Sequence, residues 1–260
     1  MPEPLHGLTV LVTRPAHQAR HFQQLLTDAG AQALLFPVVE VCEPDDVAAA
    51  TAQLASLAAY DTVLFVSANA VAFGLRFLDA AQRQQLHHLT LAAIGKKTAN
   101  ALQQHGLTVA WVPATGFTSE DFLALPQTQH LTGKRILIVR GAGGRELLAD
   151  TLRQRGASVD HVAVYQRICP KVDTSHLKQH HEQHELDIIA VTSSEGMLNL
   201  LAMLDNPDWI KTVPLLLGSQ RMLETARQAG FSGTLVMADN PSDEAMLQAL
   251  THWARNDNND

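Results

Sequence analysis

The sequence states one pattern twice, and that repeat limits the folds open to the chain more than any local motif does. Shifted by 126 positions, Leu11-Val12-Thr13-Arg14 falls on Leu137-Ile138-Val139-Arg140, Gly30 on Gly156 and Val38 on Val164. The same shift lays Asp61, Ser67 and the apolar run between them onto Asp187, Ser193 and theirs. With a slip to 123, Gly95 meets Gly218, and Ser119-Glu120 meets Ser242-Asp243. Short periods build solenoids. A domain-sized period predicts two related domains, and clefts between domains are where ligands bind.

Hydrophobic patterning sets the class of those domains. Leu8–Val12 and Thr62–Val66 are short apolar runs suited to buried strands, as are Leu91–Ile94, Arg135–Val139, Ile188–Val191, Leu215–Leu217 and Thr234–Met237. Helical segments separate them: one from Ala16 to Gly30, one over Val47 to Ala59, one from Thr98 to Gly106, and one from the turn at Gly141–Gly144 to Gly156. Ala33–Val41 and Val159–Ile168 read as extended, with Pro37 confining the former to an edge or connector. Val109–Val112 reads as a further strand, and Thr118-Ser119-Glu120-Asp121 as a capped helix start. Strands apolar throughout, alternating with helices, imply parallel sheets covered on both faces. The expectation is an α/β protein.

Charge and composition remove several classes of function. A net charge of −7 argues against nucleic acid or an anionic membrane as partner, and 5% aromatics leaves little for stacking bases. Met1–Val10 shows no basic-then-apolar targeting pattern, and no apolar run is long enough to span a bilayer. Cys42 and Cys169 form neither a disulfide framework nor a metal motif. A cytoplasmic location is expected.

In open parallel sheets, ligands sit beyond the carboxyl ends of the strands. The turns there are Thr13-Arg14-Pro15, Ser67-Ala68-Asn69, Gly95-Lys96-Lys97-Thr98, Arg140 to Arg145, Thr192 to Gly196, and Gly218-Ser219-Gln220-Arg221. Hydroxyls, glycines and cations recur among the six. Any one such turn reads equally as a helix cap; six with the same bias predict an anion site within an acidic protein. The turn Gly141-Ala142-Gly143-Gly144-Arg145 has neither the dinucleotide spacing nor a phosphate-loop lysine, and Pro15–Ala19, its counterpart, lacks the glycines. It fits a carboxylate better than a nucleotide.

Two other features have a bland and a sharp reading. On a helix His176, His180 and His184 would share a face and could hold a metal, but their polar neighbours suit a solvated surface. Tyr165 lies in the extended segment Val162–Arg167, opposite Val39 in the repeat. It is either a buried aromatic with its hydroxyl tied to backbone, or a proton donor facing the cleft.

Val12-Thr13-Arg14-Pro15, Ser67-Ala68-Asn69-Ala70-Val71 and Ala93-Ile94-Gly95-x-x-Thr98-Ala99 resemble segments of uroporphyrinogen-III synthase. So do Arg140-Gly141-x-Gly143-Gly144-Arg145-Glu146-Leu147, Val164-Tyr165-Gln166-Arg167 and Thr192-Ser193-Ser194-Glu195-Gly196-Met197. In order and spacing the resemblance runs from about Leu8 to Leu250. It implies two similar doubly wound parallel-sheet domains of flavodoxin-like kind, joined by a two-stranded connector, with the cleft between them. One domain would be residues 1–36 plus 170–260 and the other 42–162. The connector strands would be 37–41 and 163–169, with Cys42 and Cys169 as free thiols near its ends.

The reaction implied is closure of the linear tetrapyrrole hydroxymethylbilane to uroporphyrinogen III, with loss of water and inversion of ring D through a spiro intermediate. No metal or organic cofactor is implied. The resemblance makes Tyr165 the candidate acid and places Ser67, Thr98 and Ser193 among hydroxyls lining the cleft. The substrate carries carboxylates on every ring, and Arg14, Lys96, Arg140, Arg145 and Arg221 are the expected charge partners. Asn69, Gly141, Gly144, Ser194, Gly196 and Ser219 complete the expected binding set, largely through exposed amides. Arg221 departs from the family, which often has a threonine near that position. The resemblance also implies a monomer that takes its substrate by transient handover from the preceding enzyme of the pathway. Two other classes compete: a non-catalytic binder of small anions, and a nucleotide-dependent enzyme. Tyr165 together with Ser67 and Ser193 favours the synthase over the first, and the missing phosphate lysine disfavours the second.

Overall fold

A computed structural model describes residues 4–144 and 146–257. The strands, in chain order, are β1 (Thr9–Val12), β2 (Gln32–Leu35), β3 (Glu40–Cys42), β4 (Thr62–Phe65) and β5 (Thr90–Ala93). They are followed by β6 (Arg135–Gly141), β7 (Ser158–Ile168), β8 (Ile188–Val191), β9 (Leu215–Leu217) and β10 (Leu235–Met237). They form two five-stranded sheets, ordered β10-β9-β8-β1-β2 and β3-β7-β6-β4-β5. The chain divides accordingly into two compact units, residues 1–40 with 168–260, and residues 41–167.

The first unit is parallel throughout, in the order 2-1-3-4-5 of a doubly wound sheet. Strand alternation explains why it needs helices on both faces. Leu11, Ile189, Val191, Leu215 and Leu217 point into one core. Val10, Val12, Ile188, Ala190 and Leu216 point into another on the opposite face. The helices Ser194–Met203 and Gln220–Gln228 cover the former through Met197, Leu200, Met222, Leu223 and Ala226. Ala16–Asp28 covers the latter with Ala19, Phe22 and Leu26, and Asp243–Asp257 adds Met246, Leu250 and Ala254.

The second unit repeats the plan. β7, β6, β4 and β5 are parallel, and a parallel bridge from Ala92 to Trp111 stands where β10 stands in the first unit. The extended run expected at Val109–Val112 is thus reduced to one bridge, whereas β10, equally an edge segment, pairs over three residues. β3 adds a strand beside β7. One core takes Val63, Phe65, Leu137, Val139, Val162 and Val164, and the other Leu64, Ala92, Ile136, Ile138 and Val159.

The sequence repeat therefore does not coincide with the units. The first copy supplies β1 and β2 to one sheet and β4 and β5 to the other, and the second copy does the reverse. Residues 126 apart mark the joins. Asp187 accepts the Thr9 N–H at 2.7 Å and gives its own N–H to the Thr9 carbonyl. Asp61 does the same with Arg135, at 2.8 Å. The Arg135 N–H, with help from Lys134, holds the Asp61 carboxyl below the usual aspartate range.

The histidine face expected over residues 176–184 is not continuous. The helix Ser175–Glu182 ends first, and His184 sits at φ 58° in the left-handed region. His180 instead meets Glu185 at 2.9 Å, and His176 and His181 pack on Phe36 and Trp209. No group of ligands suited to a metal occurs among the described residues.

Candidate active site

In the second unit the strand ends bring Tyr165, Ser67 and Gly141 together. β7 runs past the end of β6, and a register shift between Arg140 and Gly141 sets Gly141 directly opposite Tyr165. The phenol ring then lies across the bare α-carbon. A β-carbon on Gly141 would stand 2.6 Å from the Tyr165 Cζ and 3.0 Å from its hydroxyl. Val164 turns into the core, Phe73 lies 5.8 Å from the phenol ring, and Tyr165 is left 6% exposed.

The hydroxyl finds a side chain rather than backbone. Tyr165 Oη is 3.2 Å from Ser67 Oγ, and Ser67 also caps the helix Ala68–Gly74 by accepting the Ala70 N–H at 2.9 Å. With one Ser67 lone pair so used, a hydrogen bond between the hydroxyls consumes one of their two protons. The other O–H remains a donor for whatever lies beside the pair. Asn69 follows in the first turn of that helix; Thr98 is buried in Lys96–Gln104, the helix opened by Gly95, and Lys96 is exposed.

The arginine after β6 turns inward. Arg140 donates to the Gly143 carbonyl and meets Glu146 at 3.1 Å, with its side chain 11% exposed. Gly144, at φ 105°, leaves room for that guanidinium, which a side chain there would strike. The glycines of this turn thus accommodate an arginine of their own chain. Arg145 lies outside the described residues.

The first unit carries the repeat-related set. Ser193 caps Ser194–Met203 by accepting the Gly196 N–H at 3.0 Å, and Gly196 is buried against Val38 and Ser193. Ser194 Oγ lies 2.9 Å from Thr225 Oγ1, which itself donates to the Arg221 carbonyl at 2.9 Å. The Thr225 proton being spent, Ser194 donates to Thr225, and its hydroxyl is left as an acceptor only. Ser219 caps Gln220–Gln228 through the Met222 N–H, and Arg221 is exposed on that helix. Arg14 occupies the place of Arg140 and behaves alike. It pairs with Asp243 and donates to the Pro241 carbonyl at 2.9 Å, lying over the Phe22 ring. Both strand-end arginines expected to meet ligand charges are therefore compensated by carboxylates of their own unit, Asp243 and Glu146. Sequence reasoning had no signal for either partner.

Phe117 was also missed. It is 78% exposed, beside Gly95. The hint in the sequence is slight, an aromatic placed directly before a capped helix start.

The chain matches known proteins along most of its length. A family model described as "Uroporphyrinogen-III synthase HemD" matches residues 20–248. The chain is 33% identical over 246 residues to the uroporphyrinogen-III synthase of Escherichia coli K12, covering 94% of this chain and all of that one. It is 29% identical over 266 residues to the Synechococcus elongatus protein of the same name, covering 97% and 98%. The crystal structure of a mutant uroporphyrinogen III synthase from Thermus thermophilus superposes with a TM-score of 0.61 at 21% identity, over 96% of this chain and 99% of that one. The Helicobacter pylori 26695 enzyme does so with 0.61 at 17% identity, over 95% and 99%. These two show the common fold.

Proposed function

The chain belongs to the uroporphyrinogen-III synthase family, and we propose that its Tyr165–Ser67 pair is the hydrogen-bond donor to the hydroxyl that leaves hydroxymethylbilane. The reaction is a lyase reaction: the linear tetrapyrrole is closed to uroporphyrinogen III, with loss of water and inversion of ring D. Departure of the hydroxyl leaves an electron-poor azafulvene at ring A. The substituted carbon of ring D attacks it to give a spiro intermediate, and fragmentation and re-closure turn the ring round. Closure through the unsubstituted carbon gives isomer I without the enzyme, so conformational control is the protein's main task.

The observation that carries the proposal is the hydroxyl–hydroxyl contact at 3.2 Å, held by Gly141 on one side and by the Ala70 N–H on the other. Such a pair keeps one O–H to donate: the serine's where the phenol gives its proton to Ser67, the phenol's where Ser67 gives its proton to Tyr165. A phenol is a weak acid near neutrality, so its part is a hydrogen bond that strengthens as the leaving oxygen gains charge. Substrate carboxylates are met, on this reading, by the hydroxyls of Thr98, Ser193 and Ser219 and by the exposed Lys96 and Arg221, while Gly196, whose N–H goes to Ser193, supports that hydroxyl. Compensation by Glu146 and Asp243 makes Arg140 and Arg14 positioning groups first. The same reading has the chain working as a monomer that receives its bilane from the enzyme that makes it.

Tyr165→Phe tests the central role. A hydrogen bond to a charged group contributes about 1.5–3 kcal/mol, which corresponds to roughly 10–10²-fold in kcat. That loss is expected with KM little changed. Unchanged kcat removes Tyr165 from the chemistry.

A further inference from the structure

Phe117 is an aromatic side chain that the fold holds out in water. Its surroundings are rigid. The Asp121 carboxylate accepts the N–H groups of Phe117 and Thr118, at 3.0 and 2.9 Å, and the Thr118 hydroxyl at 2.7 Å. Thr118 returns the bond by capping Ser119–Leu123, so the turn is closed from both ends. On its other side the turn presses on Gly95. A β-carbon there would stand 2.7 Å from the Phe117 Cβ, so glycine is what lets the two segments meet. Yet Phe117 stays 78% exposed.

The fold does not require that ring. In the first unit the repeat-related Gly218 is covered in the same way, by Pro241, whose Cα would lie 2.6 Å from an added β-carbon. The residues flanking that contact, Asn240 and Ser242, are polar. An aromatic is present in one unit only, at the carboxyl end of β5. β5 neighbours β4, and Ser67 follows the end of β4 by two residues. With strands about 4.8 Å apart, Phe117 stands on the order of 10 Å from the Ser67 hydroxyl. That is within the span of a linear chain of four pyrroles engaged at Ser67.

We propose that Phe117 is a substrate-binding residue that covers the face of one pyrrole ring of the bilane while the leaving hydroxyl is held at Tyr165–Ser67. This rests on the reading of that pair as the reaction centre. An electron-rich pyrrole offers an apolar face, and an aromatic side chain has only two torsions to lose on covering it. The carboxylates of that ring would point away from Phe117, towards Lys96 and Lys97, which open the helix next to Gly95.

The test compares parent, Phe117→Ala and Phe117→Trp with freshly made hydroxymethylbilane, together with thermal melts. Phe117→Ala should melt like the parent and raise KM roughly tenfold. Phe117→Trp should keep KM near the parent's, and its emission should change on rapid mixing with the bilane by more than the parent's does. Unchanged KM in Phe117→Ala, or an emission response no larger than the parent's, overturns the proposal. A parental kcat in Tyr165→Phe, measured alongside, would instead strike the reading of the reaction centre, and so be told apart.

Discussion

Gly141→Ala adds one methyl group where the tyrosine ring lies, and its effect can be worked from the contacts. The new carbon would stand 2.6 Å from Cζ and 2.7 Å from Cε2 of Tyr165. Carbon atoms prefer about 3.5–4.0 Å, so the ring must withdraw by about 1 Å. It has little room, being nearly buried, with Phe73 beside it. A shift of that size takes its hydroxyl, already 3.2 Å from Ser67, beyond hydrogen-bond range. The expected cost in stability is about 1–3 kcal/mol, as for other overpacked sites. The expected cost in kcat is larger, about 10²-fold, because the donor is misplaced. The assay is a double-mutant cycle with Tyr165→Phe, measuring kcat on preformed bilane and unfolding in urea. If Gly141 acts through the phenol hydroxyl, its substitution costs little further rate once that hydroxyl is gone, while the stability loss remains. Fully additive losses in rate, or a normal rate in Gly141→Ala alone, refute the reasoning.

Three other outcomes follow from the same contacts. Ser67→Ala and Ser193→Ala each remove a helix cap and should each cost about 0.5–2 kcal/mol; only the former loses the tyrosine partner, so equal kcat losses from the two would contradict the pairing. Arg14→Ala takes the guanidinium from the mostly covered Asp243, leaving it His21 at 2.8 Å, and should cost about 1–3 kcal/mol in urea unfolding with KM little changed; a KM roughly tenfold higher at unchanged stability would make Arg14 a ligand for a substrate carboxylate. The third concerns pH. The Asp61 carboxyl is held below its unfolded value, so its stabilisation is fully present above about pH 4 and is lost as pH falls through the lower folded value. Asp61→Asn should flatten that acid limb in urea unfolding at about pH 6 and about pH 3, on either side of the unfolded aspartate value, and an unaltered limb would deny the clasp its role.

The sequence showed two things well, for local reasons. Apolar strands such as Thr62–Phe65 and Ile188–Val191 are legible because both faces of a covered parallel sheet are buried. The capped start at Thr118 is legible because a capping box spans four consecutive residues. Non-local features were not legible in the residues themselves, and the grouping of residues 1–36 with 170–260 came only from the family resemblance. Self-similarity says that β1 resembles β6, but not that β1 pairs with β8, from the other copy. The Val109–Val112 run had strand composition, yet only Trp111 is bridged, because how far an edge segment follows its neighbour is set by the chain around it and not by its own residues. Histidines four apart promised one helix face, but whether the helix reaches His184 depends on its C-terminal turn.

The candidate site divided along the same line. Ser67, Ser193 and Ser219 could be named because residues that end strands and cap helices have a recognisable order. The arginines could be named but not assigned, since Asp243 lies 229 positions from Arg14 and no local spacing announces such a pair. Tyr165 stood out by its resemblance to the family, whereas its contact with Gly141 depends on a register shift that composition does not reveal. Phe117 went unnoticed because one aromatic in a polar turn looks ordinary until its exposure is known.

Directing ring closure is the chain's central task, and isomer analysis tests it most directly. Fresh hydroxymethylbilane would be mixed with rising amounts of protein, and the products oxidised and separated as uroporphyrins. Mostly isomer III is expected, in proportion to protein and faster than spontaneous closure. Only isomer I, formed at the rate seen without protein, would contradict it.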